Sequence, residues 1–461
     1  MLSVKIDKWV VVLGLLLCFV FTQSCKKDDH IDTSDEGTNE WIYNTMTSYY
    51  LWYGDIPNKN TLDFSKSPED FFASLLSSQD GVQYQNSWLT FSKIEKKTVA
   101  TKSIDISDSY GFDFASYKNG SVYFAWVIYV LPNSPAAEAG LQRGDWIVAA
   151  GSDTPNVTTT STFAKGGATT FLLAKYANNQ FYKDKTISIS ASREVEDTPF
   201  LADSVYSIGG KSIGYLLYNT FASGPDNKNE IYDTQLKQIF SKFKAKNVNE
   251  FILDLRYNQG GLVTSARLMT SYLVPETDLG KTFCFMEYND KHTSDNKELA
   301  LLKNTDLQNG NLDLKRIYIL TGNTTASASE AVINCLIPYI GRNNITLIGE
   351  KTIGKRVGSN TFGESEKYDW LLHPITLRIY NASHSADYAN GFSPDISLKE
   401  VVIGNELYPF GDTRDLLLDK AVSLITGQAS KSENAYYNGK SDLVYPSIGH
   451  KIKGLIYDSM N

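Results

Sequence analysis

The 461-residue chain is 42% hydrophobic and 21% charged, an ordinary globular mixture with room for about two to four domains. Its 52 acidic side chains outnumber 44 basic ones, and the net charge of −8 argues against a nucleic-acid partner, which needs clustered Lys and Arg. The histidines (His30, His292, His373, His384 and His450) are scattered, without HExxH or paired CxxC spacing, so no metal site is expected.

At the N-terminus, Lys5 and Lys8 precede an apolar run from Trp9 to Phe21, shorter than the about 20 residues that span a bilayer. It has the length and flanks of a signal peptide, taken as residues 1–24. Ser24–Cys25 resembles the lipobox of bacterial lipoproteins, which implies lipidation of Cys25, although Thr22 stands where that pattern usually has Leu. Lys26–Lys27–Asp28–Asp29 resembles the charged stretch that sends some lipoproteins to the cell surface. The expectation is export and a lipid anchor in the cell envelope, outer membrane or cell surface, with residues 25–38 as a polar tether. Only Cys284 and Cys335 then remain, so no disulfide framework is expected, and Cys335 reads as a core thiol.

A helical pattern follows from Glu40 to Tyr53 and stops at Gly54–Asp55–Ile56–Pro57. Ser67 and Pro68 open a second helix, as cap and first-turn residue, and residues 39–100 read as a small helical domain. Residues 103–197 are β-rich. Tyr110–Gly111–Phe112–Asp113–Phe114 has strand alternation, Ser134–Pro135–Ala136–Ala137 caps a short helix ended by Gly140, and Arg143–Gly144–Asp145 turns into the strand Trp146–Ala149. A strand at Thr186–Val195 closes the segment. This stretch resembles a PDZ domain, which takes an extended peptide as an added strand. The resemblance implies peptide contact at Gly111, Phe112 and Phe114.

From Lys211 strands and helices alternate, which argues for α/β architecture over residues 200–427. Strands are expected at Ile213–Phe221, Glu250–Leu255, Arg316–Leu320, Ile345–Gly349 and Trp370–Ile379, with an amphipathic helix over Asn227–Lys246. The tail, 428–461, is polar and carries no functional signal.

Chemistry-bearing residues cluster in this α/β segment. Thr325–Ala326–Ser327–Ala328–Ser329–Glu330 sits where a buried strand hands over to a helix, whose first amides are unpaired and can face a developing negative charge. The residues alone do not choose between Ser327 and Ser329. Lys355 follows a glycine in Gly349–Glu350–Lys351–Thr352–Ile353–Gly354–Lys355; a lysine can act as base if burial holds it neutral, and no histidine lies near either serine in sequence. Gly260–Gly261, after Asp254–Leu255–Arg256–Tyr257–Asn258–Gln259, lets the backbone approach a ligand closely.

Taken together and in this order, the PDZ-like stretch, DLRYNQGG, TASASE and GEKTIGK resemble the C-terminal processing (tail-specific) serine peptidases over residues 39–425. Gly391–Phe392–Ser393–Pro394–Asp395 is similar to the family's Gly-x-x-Pro-Asp element. The resemblance implies a multi-domain α/β protein: a small N-terminal helical domain, a PDZ-like β-rich domain and a crotonase/Clp-like α/β protease core. It implies Ser327 as nucleophile, Lys355 as base, and Ala328 with Gly260 or Gly261 as oxyanion donors. Ser359 stands where many members carry Gln, which leaves less support for Lys355. The expected activity is endopeptidase cleavage of unfolded or C-terminally exposed polypeptides reached through the PDZ-like domain, without a cofactor. The alternatives are a surface lipoprotein that binds peptides without cutting them, or one that binds glycans through exposed aromatics. Oligomeric state is not legible in the sequence.

Overall fold

The computed structural model describes residues 34–84, 87–97, 106–151, 163, 166–225, 227, 229–364, 368–430 and 443–446. The leader and Cys25 lie outside the described residues.

The first helix, α1 (Asp35–Tyr49), starts earlier than its apolar pattern suggests, because Ser34 Oγ accepts the Gly37 N–H at 3.2 Å and Asp35 and Glu36 suit the positive end of the helix. Ser67 caps α2 (Pro68–Ala73) by accepting the Asp70 N–H. Beyond Ala73 the expected helical domain turns into short strands, β1 (Gly81–Tyr84), β2 (Ser87–Thr90) and β3 (Lys93–Lys96). β3 pairs with residues Trp370–His373, far along the chain, so this N-terminal part is woven into the α/β half. Ile42, Met46, Tyr50, Phe71 and Phe72 pack in one apolar cluster with Ala326, Ile353 and Leu372.

The PDZ-like part runs through β4 (Ile106–Ser109), β5 (Phe112–Asn119), β6 (Val122–Val130), α3 (Pro135–Glu138), β7 (Trp146–Ala150), β8 (Thr169–Ala177), β9 (Gln180–Ile189) and β10 (Arg193–Glu196). Ser134 Oγ caps α3 at Ala137 N–H and donates to Leu131 O. The expected closing strand over 186–195 is two strands: β9 ends at Ile189, and β10 pairs with β4 in a separate ribbon. The main sheet is antiparallel, and its edge beside β5 carries a strand from the tail, β22 (Leu443–Pro446). The tail thus has a structural place that its polar composition concealed, since strand pairing uses backbone groups common to every sequence.

The α/β half centres on a six-stranded sheet in the order β11-β12-β13-β16-β17-β21. These are β11 (Phe200–Ile208), β12 (Lys211–Tyr218), β13 (Glu250–Asp254), β16 (Ile317–Thr321), β17 (Ile345–Gly349) and β21 (Ile396–Ser397). From β12 to β21 they run parallel, with β11 antiparallel at the edge. Alternation along each strand divides the core between two faces. Leu216, Phe251, Leu253, Ile317, Ile319 and Leu347 meet helices α4 (Ile231–Ala245), α5 (Val263–Leu273) and α6 (Ala328–Ile340). On the other face Tyr215, Leu217, Ile252, Leu320 and Ile348 meet α7 (Leu416–Thr426). Burial on both faces explains why these strands read as continuous apolar runs.

A smaller sheet, β15-β14-β20-β18, joins β14 (Thr282–Tyr288), β15 (Lys297–Ala300), β18 (Val357–Ser359) and β20 (Ile375–Asn381). The strand expected over Trp370–Ile379 divides at Pro374, which has no N–H for a ladder, into β19 (Trp370–His373) and β20. Cys284 and Cys335 are buried free thiols, and burial pushes Cys284 up to about 12.

The PDZ-like and α/β parts meet at a buried ionic joint. Arg143, from the turn before β7, donates to Tyr408 O and the Tyr257 hydroxyl and pairs with Glu400 and Asp415. Arg256 pairs with Asp254, Glu400 and Asp415, and Asp415 also caps α7 at Leu418 N–H. Charges this deeply buried are tolerable only with all partners in place, so the joint fixes the geometry of the turn after β13.

Candidate active site

Parallel β13, β16 and β17 bring their carboxyl ends to one edge of the sheet, where α/β proteins bind ligands. The loops leaving them are 255–262, 322–327 and 350–356, and they are sewn together. Thr325 Oγ1 donates to Leu255 O at 2.7 Å, Ala326 N–H to Asn258 O at 3.2 Å, Glu350 N–H to Thr321 O at 2.9 Å and Ile353 N–H to Thr325 O at 3.0 Å. Glycine permits this spacing: a Cβ at Gly322 would lie 2.1 Å from Arg256 O, and one at Gly349 2.0 Å from Thr321 O.

The two serines separate at once. Ser329 Oγ donates to Asn258 O at 3.0 Å and is thereby a structural tie. Ser327 is 1% exposed, its Oγ has no hydrogen-bond partner among the described residues, and its backbone holds φ 62° and ψ −114°. A positive φ at a residue with a Cβ is strain that must be sustained by its surroundings, and such strain gathers at reacting groups. Ser327 immediately precedes α6, and Ala328 is its first helical residue, so the Ala328 N–H is among the amides that a helix start leaves without an intrahelical partner.

Glu330 sustains that conformation. Its Oε2 accepts the N–H of Ser327 at 2.9 Å and the N–H of Lys355 at 2.8 Å; its Oε1 accepts the N–H of Gly354 and the hydroxyl of Thr352, both at 2.6 Å. One carboxylate therefore clamps the serine turn to the lysine turn. Burial raises Glu330 to about 7, opposed by these donors. Ser327–Glu330 has the spacing of a capping box, the one local signal in the sequence for this carboxylate.

Lys355 is 2% exposed. Burial lowers its amine from 10.5 to about 8; Asp80 and Glu330 pull it back up, and Lys93 pushes it further down. Nζ lies 5.3 Å from the centroid of the Phe91 ring. Phe91 and Asp80 come from the N-terminal part, where the buried Asp80 carboxylate accepts the Tyr50 hydroxyl and the amides of Phe91 and Ser92. No local motif marks this wall around the lysine, because only the tertiary fold brings it there. Ser359 is buried in β18. His373 also faces this region, but Thr361 and Glu95 occupy its two ring nitrogens.

The glycine pair divides its tasks. A Cβ at Gly260 would lie 2.7 Å from Ser327 Cβ and 3.0 Å from Ala328 N, so Gly260 is packed against the serine, and its N–H donates to Asn258 Oδ1 at 2.8 Å. Gly261 is pressed against Phe221 O, 2.1 Å from where its Cβ would be. Ser327, Ala328, Gly260 and Lys355 are thus held by neighbouring, mutually bonded loops. Gly111, Phe112 and Phe114 lie apart in the PDZ-like sheet: Gly111 turns with φ 78°, Phe114 is buried in the sheet's core, and Phe112 packs beside it.

Comparison with known proteins agrees with this division. The model of Peptidase family S41 matches residues 212–398, that of the Peptidase S41 N-terminal domain residues 37–92, and that of the PDZ domain residues 126–162. A carboxyl-terminal-processing protease of Picosynechococcus sp. is 25% identical over 309 residues, covering 65% of this chain and 66% of that protein. Its counterpart in Synechocystis sp. is 25% identical over 303 residues, covering 64% of each chain. The chain therefore spans a little under two thirds of the length of these relatives. A solved structure from Bacteroides fragilis assigned to the S41 proteases shares 33% identity and superposes with a TM-score of 0.73 over 84% of this chain and 97% of that one. With the three matched regions in order, and a solved relative covered almost from end to end, the chain belongs to peptidase family S41, a family of serine-type peptidases.

Proposed function

We propose that this chain is a serine endopeptidase that cleaves unfolded or C-terminally exposed polypeptides with a Ser327–Lys355 pair. The observation that carries the reading is the shared Glu330 oxygen: it ties the backbone of a strained serine, whose Oγ has no partner among the described residues, to that of a buried lysine whose amine is shifted to about 8. Neutral Lys355 takes the Ser327 proton as Oγ attacks the peptide carbonyl. The Ala328 amide and the glycine turn face the oxyanion; a Gly260 contribution requires its N–H to leave Asn258. The C–N bond breaks as the lysine returns its proton to the leaving amine. Water, activated by the same amine, then hydrolyses the acyl-enzyme and restores the serine.

Polypeptide substrates are proposed to reach the site through the PDZ-like domain, and lipidation of Cys25 to hold the protein at the cell envelope. Incubation with casein, read by mass spectrometry, tests the activity: new termini that disappear in Ser327→Ala support it, and equal cleavage by both proteins overturns it. Membrane partitioning lost in Cys25→Ala tests the anchor, and an unlipidated, freely soluble wild-type chain rules it out.

A further inference from the structure

We infer that the C-terminal segment Leu443–Pro446 is a resident occupant of the peptide-accepting edge of the PDZ-like sheet, so that a substrate must displace the chain's own tail. This rests on the proposed reading of that sheet as the peptide acceptor.

Among the PDZ-like strands, β5 pairs only with β6, which leaves its other row of N–H and C=O groups open to an added strand. β22 fills that edge antiparallel, with Leu443 opposite Tyr117, Val444 opposite Ser116 and Pro446 opposite Ala115. This strand enters from outside the sheet's own run of sequence. The chain is held as far as Ser430, whose hydroxyl donates to Asp419 in α7, and residues 431–442 lead from there to β22.

The pairing is also slight. β22 has four residues against nine in β8 and ten in β9, its register slips between Val444 and Pro446, and Pro446 brings no N–H. A segment of the same chain needs less affinity for this edge than a free peptide does, because its binding is intramolecular. A weak, replaceable strand on a backbone-reading edge fits an incoming extended polypeptide as its competitor. If the tail fills the edge about nine-tenths of the time, apparent substrate affinity falls about tenfold.

The test is the double variant L443P/V444P in the full chain. Successive N–H groups on a strand point to opposite sides, so the two prolines remove whichever one faces β5. With a casein-derived peptide bearing a free carboxylate, KM should fall about tenfold while kcat stays within about twofold. A fluorescent peptide of residues 440–449 should bind Ser327→Ala carrying L443P/V444P about tenfold more tightly than Ser327→Ala alone. This second arm needs no catalysis, so it separates failure of the inference from failure of the peptidase reading. Unchanged or weaker binding and an unchanged KM overturn the inference. A further arm alters no tail residue: saturating the Ser327→Ala chain with the casein peptide should speed hydrogen exchange at residues 443–446. Unchanged exchange there under saturation counts equally against it.

Discussion

The central sheet of the α/β half and the main sheet of the PDZ-like part each have six strands, but they place their polar groups differently. In the central sheet, helices cover both faces and the parallel strands deliver three loops to one edge. Polar groups there are tied to one another through Glu330, Asn258 and Thr325, while Ser327 Oγ has no partner among the described residues. The PDZ-like sheet is antiparallel, and the edge beside β5 takes its last strand from the distant tail. Convergence of strand ends suits a fixed reaction geometry, whereas an edge that reads backbone suits a changeable partner.

The largest expected effect separates the paired serines of the first region. Ser327→Ala should lower kcat by at least about 10³-fold with the fold intact, whereas Ser329→Ala, which loses one hydrogen bond to Asn258 O, should stay within about tenfold. Casein turnover and thermal unfolding measured on both variants check this; a fully active Ser327→Ala would break the assignment.

The lysine comes next. On the proposed mechanism activity should rise with pH through an apparent pKa near 8, because a lysine base must be neutral to take the serine proton. Lys355→Arg keeps a cation that cannot deprotonate and should be as inactive as Lys355→Ala, while Lys351→Ala, at an exposed position of the same loop, should cost little. Stability has the opposite interest. The folded amine titrates near 8 and the unfolded one near 10.5, so below pH 8 the folded state carries the full penalty of a buried cation, which fades as pH rises from 8 to 10.5. Lys355→Met should therefore raise stability at pH 7 by on the order of 2–3 kcal/mol while abolishing turnover, as denaturant titration would show.

Glu330→Gln sharpens the clamp argument. The amide offers one oxygen where four donors converge on two, so kcat should fall by about 10- to 100-fold. Removing a negative charge that raises the lysine should also move the pH–rate midpoint below that of the wild type. An unmoved midpoint with a large loss in kcat would make Glu330 a backbone clamp alone.

The smallest effect belongs to the second region. Gly111→Ala puts a Cβ 2.1 Å from Ser134 Cβ at a φ of 78°, which disturbs the turn into β5. KM for long peptides should rise by about three- to tenfold with kcat for a short peptide unchanged. A fall in both kcat values would show that the two sheets are coupled through the ionic joint of Arg143 and Arg256.

Much of this was readable along the chain, for local reasons. Strands buried on both faces appear as apolar runs such as Ile345–Gly349, whose bounds the structure reproduces, and a serine cluster before a helix marks a strand-to-helix turn. Ser67 and Ser134 announced their helices by capping chemistry that acts within one turn. What sequence alone left open depends on groups that meet across long separations. Ser327 and Ser329 were tied until the fold gave one a partner at Asn258 and strained the other. Glu330 stood in view beside them, but its two oxygens acquire a role only once the Thr352–Lys355 turn arrives. The walls around Lys355, Asp80 and Phe91, come from the N-terminal part, and β22 from the tail, because burial and strand pairing are made between segments. Sequence determined which residues could react and where helices and strands begin; tertiary structure decided which serine is unbonded, how far the lysine's pKa falls and what covers β5, since desolvation and edge pairing are properties of neighbours in space.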